Sequence, residues 1–186
     1  MKKIGIVGEN YQNDACAFGL LMTPQYKKHK IEFVPIIKKP NTGTNKLGRL
    51  ILSAIEIEQL DAVICMKDLD SYSQLSERES WFRELNKIIL KGIFYLVVME
   101  LEALLLADID NLNKVLITQM SYKGNPIKER DPKRFLMKQT NGKYTENDSS
   151  RICKTISFQK VYQTHTGELS FQAFIDKFEE QFVRPK

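Results

Sequence analysis

The chain has 186 residues, with 42% hydrophobic and 27% charged side chains and a net charge of +5, the balance of one globular domain large enough for a real core. No apolar run nears the roughly 20 residues that span a bilayer, so no membrane partner is expected. Three widely spaced cysteines, Cys16, Cys65 and Cys153, form neither a zinc pattern nor a disulfide framework, which points to a reducing cytoplasm.

The opening MKKIGIVGEN has too short an apolar stretch for a secretory signal, and residues 3–8 (KIGIVG) are predicted as the first strand, followed by Glu9 and Asn10. Residues 14–22 place Ala15, Phe18, Leu21 and Met22 on one helical stripe, and Pro24 is expected to end that helix. Asp14 opens it, where a carboxylate favours the positive end of the helix dipole, a reading preferred to metal binding. Residues 31–37 (IEFVPII) are a second strand, with Pro35 arguing for an edge position or a bulge. The basic loop KKPNTGTNK follows. A helix over 45–59 then carries Leu47, Leu50, Ile51, Ala54 and Ile55 along one side.

The third strand covers residues 61–66, an apolar run that reads as buried on both faces, and it leads into Asp68 and Asp70. Residues 76–90 make the next helix. Ser76 and Glu79 fit a capping box, and Trp81, Phe82, Leu85, Ile88 and Ile89 fit a buried stripe. Gly92 stops it before a fourth strand over 93–99. Glu100 and Glu102 then enter a helix, ELEALLLAD, that is expected to end near Asp108. Strands alternating with helices of this length predict βαβ units and a mainly parallel, Rossmann-like α/β sheet over residues 1–118.

After Ile117 the periodicity breaks. Residues 119–151 are polar and carry Gly124, Pro126, Pro132 and Gly142, so an irregular basic lobe with short helices around 132–138 is expected. Residues 1–118 hold equal numbers of basic and acidic side chains, and the whole excess of +5 therefore falls in residues 119–186. Such a local basic surface attracts polyanions. Phe171, Phe174, Ile175, Phe178 and Phe182 recur at helical spacing after Ser170 and predict a final helix docked on the core, so residues 119–186 extend a single compact domain. His29 and His165 have no partner in view and receive no role.

In a parallel sheet, ligands bind beyond the carboxyl ends of the strands. Glu9 follows the first strand, Asp68 and Asp70 the third, and Glu100 and Glu102 the fourth, so these carboxylates gather on one edge. Gathered carboxylates repel one another unless a cation compensates, and Mg²⁺ or Mn²⁺ takes oxygen ligands. The pattern reads as a metal site, against the alternative of loop solvation and helix caps. Lys67, Arg49, Lys133, Arg134 and Lys138 are candidate phosphate contacts. No G-x-x-x-x-G-K-[ST] is present, which excludes a P-loop nucleotide hydrolase. A receiver-like phospho-acceptor calls for one aspartate at the strand end and not a D-x-D.

A glutamate after the first strand and a D-x-D after a later one resemble the TOPRIM-like nuclease family. GENYQND, the glycine-bearing loop before KLGRL, KDLD, ELEALLLAD, DPKRFL and SFQAFIDKF are most similar, in order along the chain, to the small DUF4276 and RloB-like group. The resemblance implies a Mg²⁺-dependent nuclease acting on DNA or RNA. In it Glu9 serves as general acid/base or second ligand, and Asp68 with Asp70 holds the metal. It also implies an anti-phage or mobile-element defence context beside an ATPase partner, or else an inactive TOPRIM-like subunit that regulates one. Two departures stand out: Asn10 replaces the glycine usual after the glutamate, and Leu104 replaces a large aromatic.

Overall fold

The computed structural model describes residues 1–40 and 42–184, so Asn41 of the basic loop lies outside the described residues. Four strands, β1 (Lys2–Val7), β2 (Ile31–Pro35), β3 (Ala62–Asp68) and β4 (Gly92–Val97), form one all-parallel sheet in the order β2-β1-β3-β4. The fold is Rossmann-like, as the alternation predicts. Pro35 sits on an edge strand, where its missing N–H breaks no interior ladder.

Alternation along the strands feeds two separate cores. Ile4, Ile6, Ile64, Met66, Tyr95 and Val97 face one side, and Val63, Cys65 and Leu96 face the other. On the second side pack α2 (Thr44–Glu58) and α3 (Leu75–Asn86), through Leu47, Ile51, Phe82 and Leu85. On the first lies α1 (Ala17–Tyr26), which continues a wide π-helical turn at Tyr11–Cys16.

The rest of the chain closes over α1. The segments α4 (Glu102–Leu105), α5 (Ile109–Leu116), α6 (Pro132–Gln139), α7 (Ser149–Cys153), α8 (Phe158–Thr164) and α9 (Phe171–Phe182) all give residues to that first core. Ser170 caps α9, accepting the Ala173 N–H at 3.0 Å, and Phe171, Phe174, Ile175 and Phe178 are buried as the stripe predicts. His165 is fully buried; its Nδ1 accepts the Phe171 N–H at 2.9 Å, and burial pushes its pKa down to about 4. Cys16, Cys65 and Cys153 are free thiols. Among the described residues no helix is long and apolar enough to cross a membrane.

Three local expectations are corrected. Pro24 lies inside α1, on its solvent side near the last turn, where it removes a single ladder bond. Ser76 and Glu79 do not cap α3, because the helix has already begun at Leu75. A short turn at Tyr72–Gln74 leads in, and Ser71 caps that turn. Asp108 begins a helix where one was expected to end: its carboxylate accepts the Asn111 N–H at the start of α5, the Ser157 N–H at 3.0 Å and the Lys160 ammonium at 2.7 Å.

Candidate functional site

The ends of β1, β3 and β4 open into a cleft of about 220 Å³ lined by Glu9, Asp14, Asp68, Glu100 and Glu102, and also by Lys133 and Glu146. Four of the five candidate carboxylates are therefore brought together, by the strand-end geometry that the alternating pattern predicts. Gly8 makes room for a fifth. A Cβ on it would lie 2.5 Å from the Cβ of Asp14, so only a glycine lets the π-helical turn close against the end of β1. Asn10 then caps that turn, accepting the N–H groups of Gln12 and Asn13 at 3.0 Å each. Asp14 accepts the Asn10 N–H at 2.6 Å while also lining the cleft, so the same side chain serves the helix start and the acidic wall.

Crowding of like charge in a poorly solvated place marks this cleft. Burial, with Asp14, Glu9, Glu102 and Asp70 nearby, pushes the Asp68 pKa well above the ordinary carboxylate range. Burial raises Asp14 to about 6, and burial with Glu102 raises Glu100 to about 7. Burial also raises Glu102, against the pull of a 2.7 Å hydrogen bond donated by the Tyr144 hydroxyl. The Tyr95 hydroxyl is buried with no partner among the described residues. Its pKa is pushed up by burial and by Asp68.

Cations answer part of this charge. The Lys67 ammonium meets Glu9 Oε1 at 2.6 Å and stands 5.1 Å from the centre of the Trp81 ring. Lys133 pairs with Glu146, and its backbone N–H, at the start of α6, donates to Glu100 Oε2 at 3.3 Å. Glu146 also accepts from Asn13 Nδ2 at 3.3 Å.

Asp70 goes elsewhere. β3 stops at Asp68, and Asp70 turns into the left-handed region with φ 47°, so it does not line the cleft. It pairs at 2.8 Å with Arg78, whose Nε also donates to the Asp68 carbonyl at 3.0 Å. The expectation that Glu9, Asp68 and Asp70 share one ion is not met by the side chains as they stand. Among the described residues, no three His, Cys, Asp or Glu side chains converge tightly enough to clasp one ion. Arg49 on α2 and Arg134 and Lys138 on α6 are exposed and do not line the cleft.

The donor chemistry fits a hard divalent cation all the same. Every anionic group in the cleft is a carboxylate, and Mg²⁺ characteristically keeps several waters while binding only one or two protein carboxylates. The side chains that sequence reasoning missed are Glu146, which nothing in its polar segment marks out, and Asp14, read as a helix start in preference to a ligand. Fold and site together define a parallel α/β protein with an acidic cleft at the strand ends. No family model, curated protein or solved structure matches the chain.

Proposed function

We propose that the chain is a Mg²⁺-dependent, TOPRIM-like nuclease that cleaves nucleic-acid phosphodiesters in the strand-end cleft. The single observation that carries the reading is the meeting of Glu9, Asp14, Asp68, Glu100 and Glu102 in one cleft, at the ends of three adjacent parallel strands. Structural packing gives no reason to gather so many like charges, whereas a compensating cation does. Asp68 and Glu9 would hold the ion, with Glu100 and Glu102 available to it. When bound, the ion neutralises phosphate charge and acidifies a water.

The chain's own residues supply the rest. Lys133 brings a positive charge to the cleft wall for a phosphate oxygen. Asp14, with its pKa near 6, exchanges a proton close to neutral pH and suits general acid/base work beside Glu9. Asp70 acts through Arg78, which holds the turn behind Asp68. The defence context and the ATPase partner rest on the motif resemblance alone.

A second reading is favoured by a specific observation. Among the described residues no three carboxylates stand close enough together to clasp one ion, and Glu9 is already occupied by Lys67, which suits a binding subunit whose acid site has lapsed. Cleavage separates the two. Purified chain is incubated with single-stranded DNA, duplex DNA and RNA in Mg²⁺, in Mn²⁺ and in EDTA. Cleavage that needs the ion supports the nuclease, and cleavage indifferent to EDTA overturns it.

A further inference from the structure

Beside the acidic cleft lies a second hollow of about 70 Å³, lined in part by Gly8, Glu9, Pro40, Leu47, Lys67 and Trp81. Glu9 lines both, so the two hollows adjoin at the end of β1. Trp81 is the chain's only tryptophan and is half-buried on α3. Phe82 meets its ring at 63° and 5.1 Å, not face to face. The ring instead carries the Lys67 ammonium 5.1 Å from its centre, and that ammonium also touches Glu9. One cation therefore links an aromatic surface to the first carboxylate of the cleft. Lys67 is the one cation that lines this hollow among the described residues.

We propose that Trp81 is a stacking ledge for a nucleobase of single-stranded nucleic acid, with the phosphate adjoining that base entering the acidic cleft past Lys67. The proposal rests on the phosphodiester reading of that cleft and names its substrate class. A base in a duplex already has both faces covered, whereas an unpaired base offers a free one. Stacking tolerates any base, and a hollow this small cannot enclose a base edge for hydrogen-bond readout, so recognition is of unpaired bases and not of sequence. Lys67 supplies the charge that a polyanion needs in order to approach a carboxylate-rich edge.

A lone tryptophan makes the test direct, because its fluorescence reports on one site. The full chain is titrated, in Mg²⁺ and again in EDTA, with oligothymidylate, oligouridylate, an abasic oligodeoxynucleotide of equal length and a blunt duplex. Quenching by the first two, with DNA and RNA arms compared, and none by the abasic strand or the duplex is the expected result. Absence of quenching, or equal quenching by the abasic strand, overturns the ledge and leaves Trp81 as a cover on the α2–α3 core. Trp81→Ala has no tryptophan left to report, so its binding is read from the anisotropy of end-labelled oligomers, against wild type measured the same way. It should bind the single-stranded oligomers about tenfold more weakly, with no change for the abasic strand; where that variant misfolds, the wild-type titration decides. Ion-dependent cleavage without quenching removes the ledge and keeps the nuclease. Base-dependent quenching without cleavage does the reverse.

Discussion

The Tyr144 hydroxyl donates to Glu102 Oε1 across 2.7 Å, and both side chains are buried. The bond fastens the segment between α6 and α7 to the first residue of α4. Ser149 Oγ lies 3.2 Å from the same hydroxyl. Tyr144→Phe keeps the ring and strips a buried carboxylate of its donor, a loss of about 1–3 kcal/mol. Because burial already raises the Glu102 pKa, protonation relieves part of that loss. Urea unfolding should therefore separate variant and wild type more at neutral than at acid pH, and coincident curves at neutral pH would deny the bond any weight.

Asp68→Asn keeps the side chain's shape and removes the charge that the surrounding carboxylates oppose. Without added metal, the variant should melt about 2–4 °C higher than wild type, the equivalent of about 1 kcal/mol in a domain of this size. It should also lose nearly all ion-dependent cleavage. A variant that melts lower, or cleaves as well as wild type, contradicts the role given to Asp68.

The metal-free protein should lose stability as the pH rises. Asp14 moves from an ordinary 3.8 to about 6 on folding, and Glu100 from 4.5 to about 7. Both are raised, so their contribution is complete below the unfolded values near 4 and is lost as the pH climbs through 6 and 7. Mg²⁺ binds the ionised forms, and saturation to 100 times its Kd adds about 2.7 kcal/mol. The Mg²⁺-induced rise in melting temperature should accordingly be larger above pH 7 than at pH 5, and chelation should abolish it. An increment independent of pH would place the ion away from these carboxylates.

Arg134 and Lys138 lie exposed on α6, whose first turn holds Lys133 at the cleft. If that helix leads nucleic acid to the cleft, reversing both charges to Glu should flatten the plot of log affinity against log salt by about one unit for each phosphate contact removed. An unaltered slope means that both are ordinary solvated surface.

Sheet and acidic edge were legible for one reason: periodicity and order along the chain settle which residues end parallel strands. Glu9, Asp68, Glu100 and Glu102 needed nothing more. Asp70 was not legible, because the D-x-D spacing puts two side chains on one face only while the strand continues, and β3 ends at the first aspartate. Pro24 misled because a proline's cost depends on how many turns follow it. Glu146 was invisible, since its place in the cleft comes from the path of a polar segment and not from any pattern within it.

The helix α9 packs its phenylalanines against groups made far earlier: Phe174 against Phe18 at 5.8 Å and Phe178 against Tyr26 at 5.1 Å and Phe33 at 5.8 Å. A ribosome completes β1, α1 and β2 long before it makes the surface that covers them. During synthesis the aromatic face of α1 and β2 therefore emerges before the helix that packs against it. Translation speed over that interval, and any chaperone that holds α1 during it, bear directly on the yield of native protein.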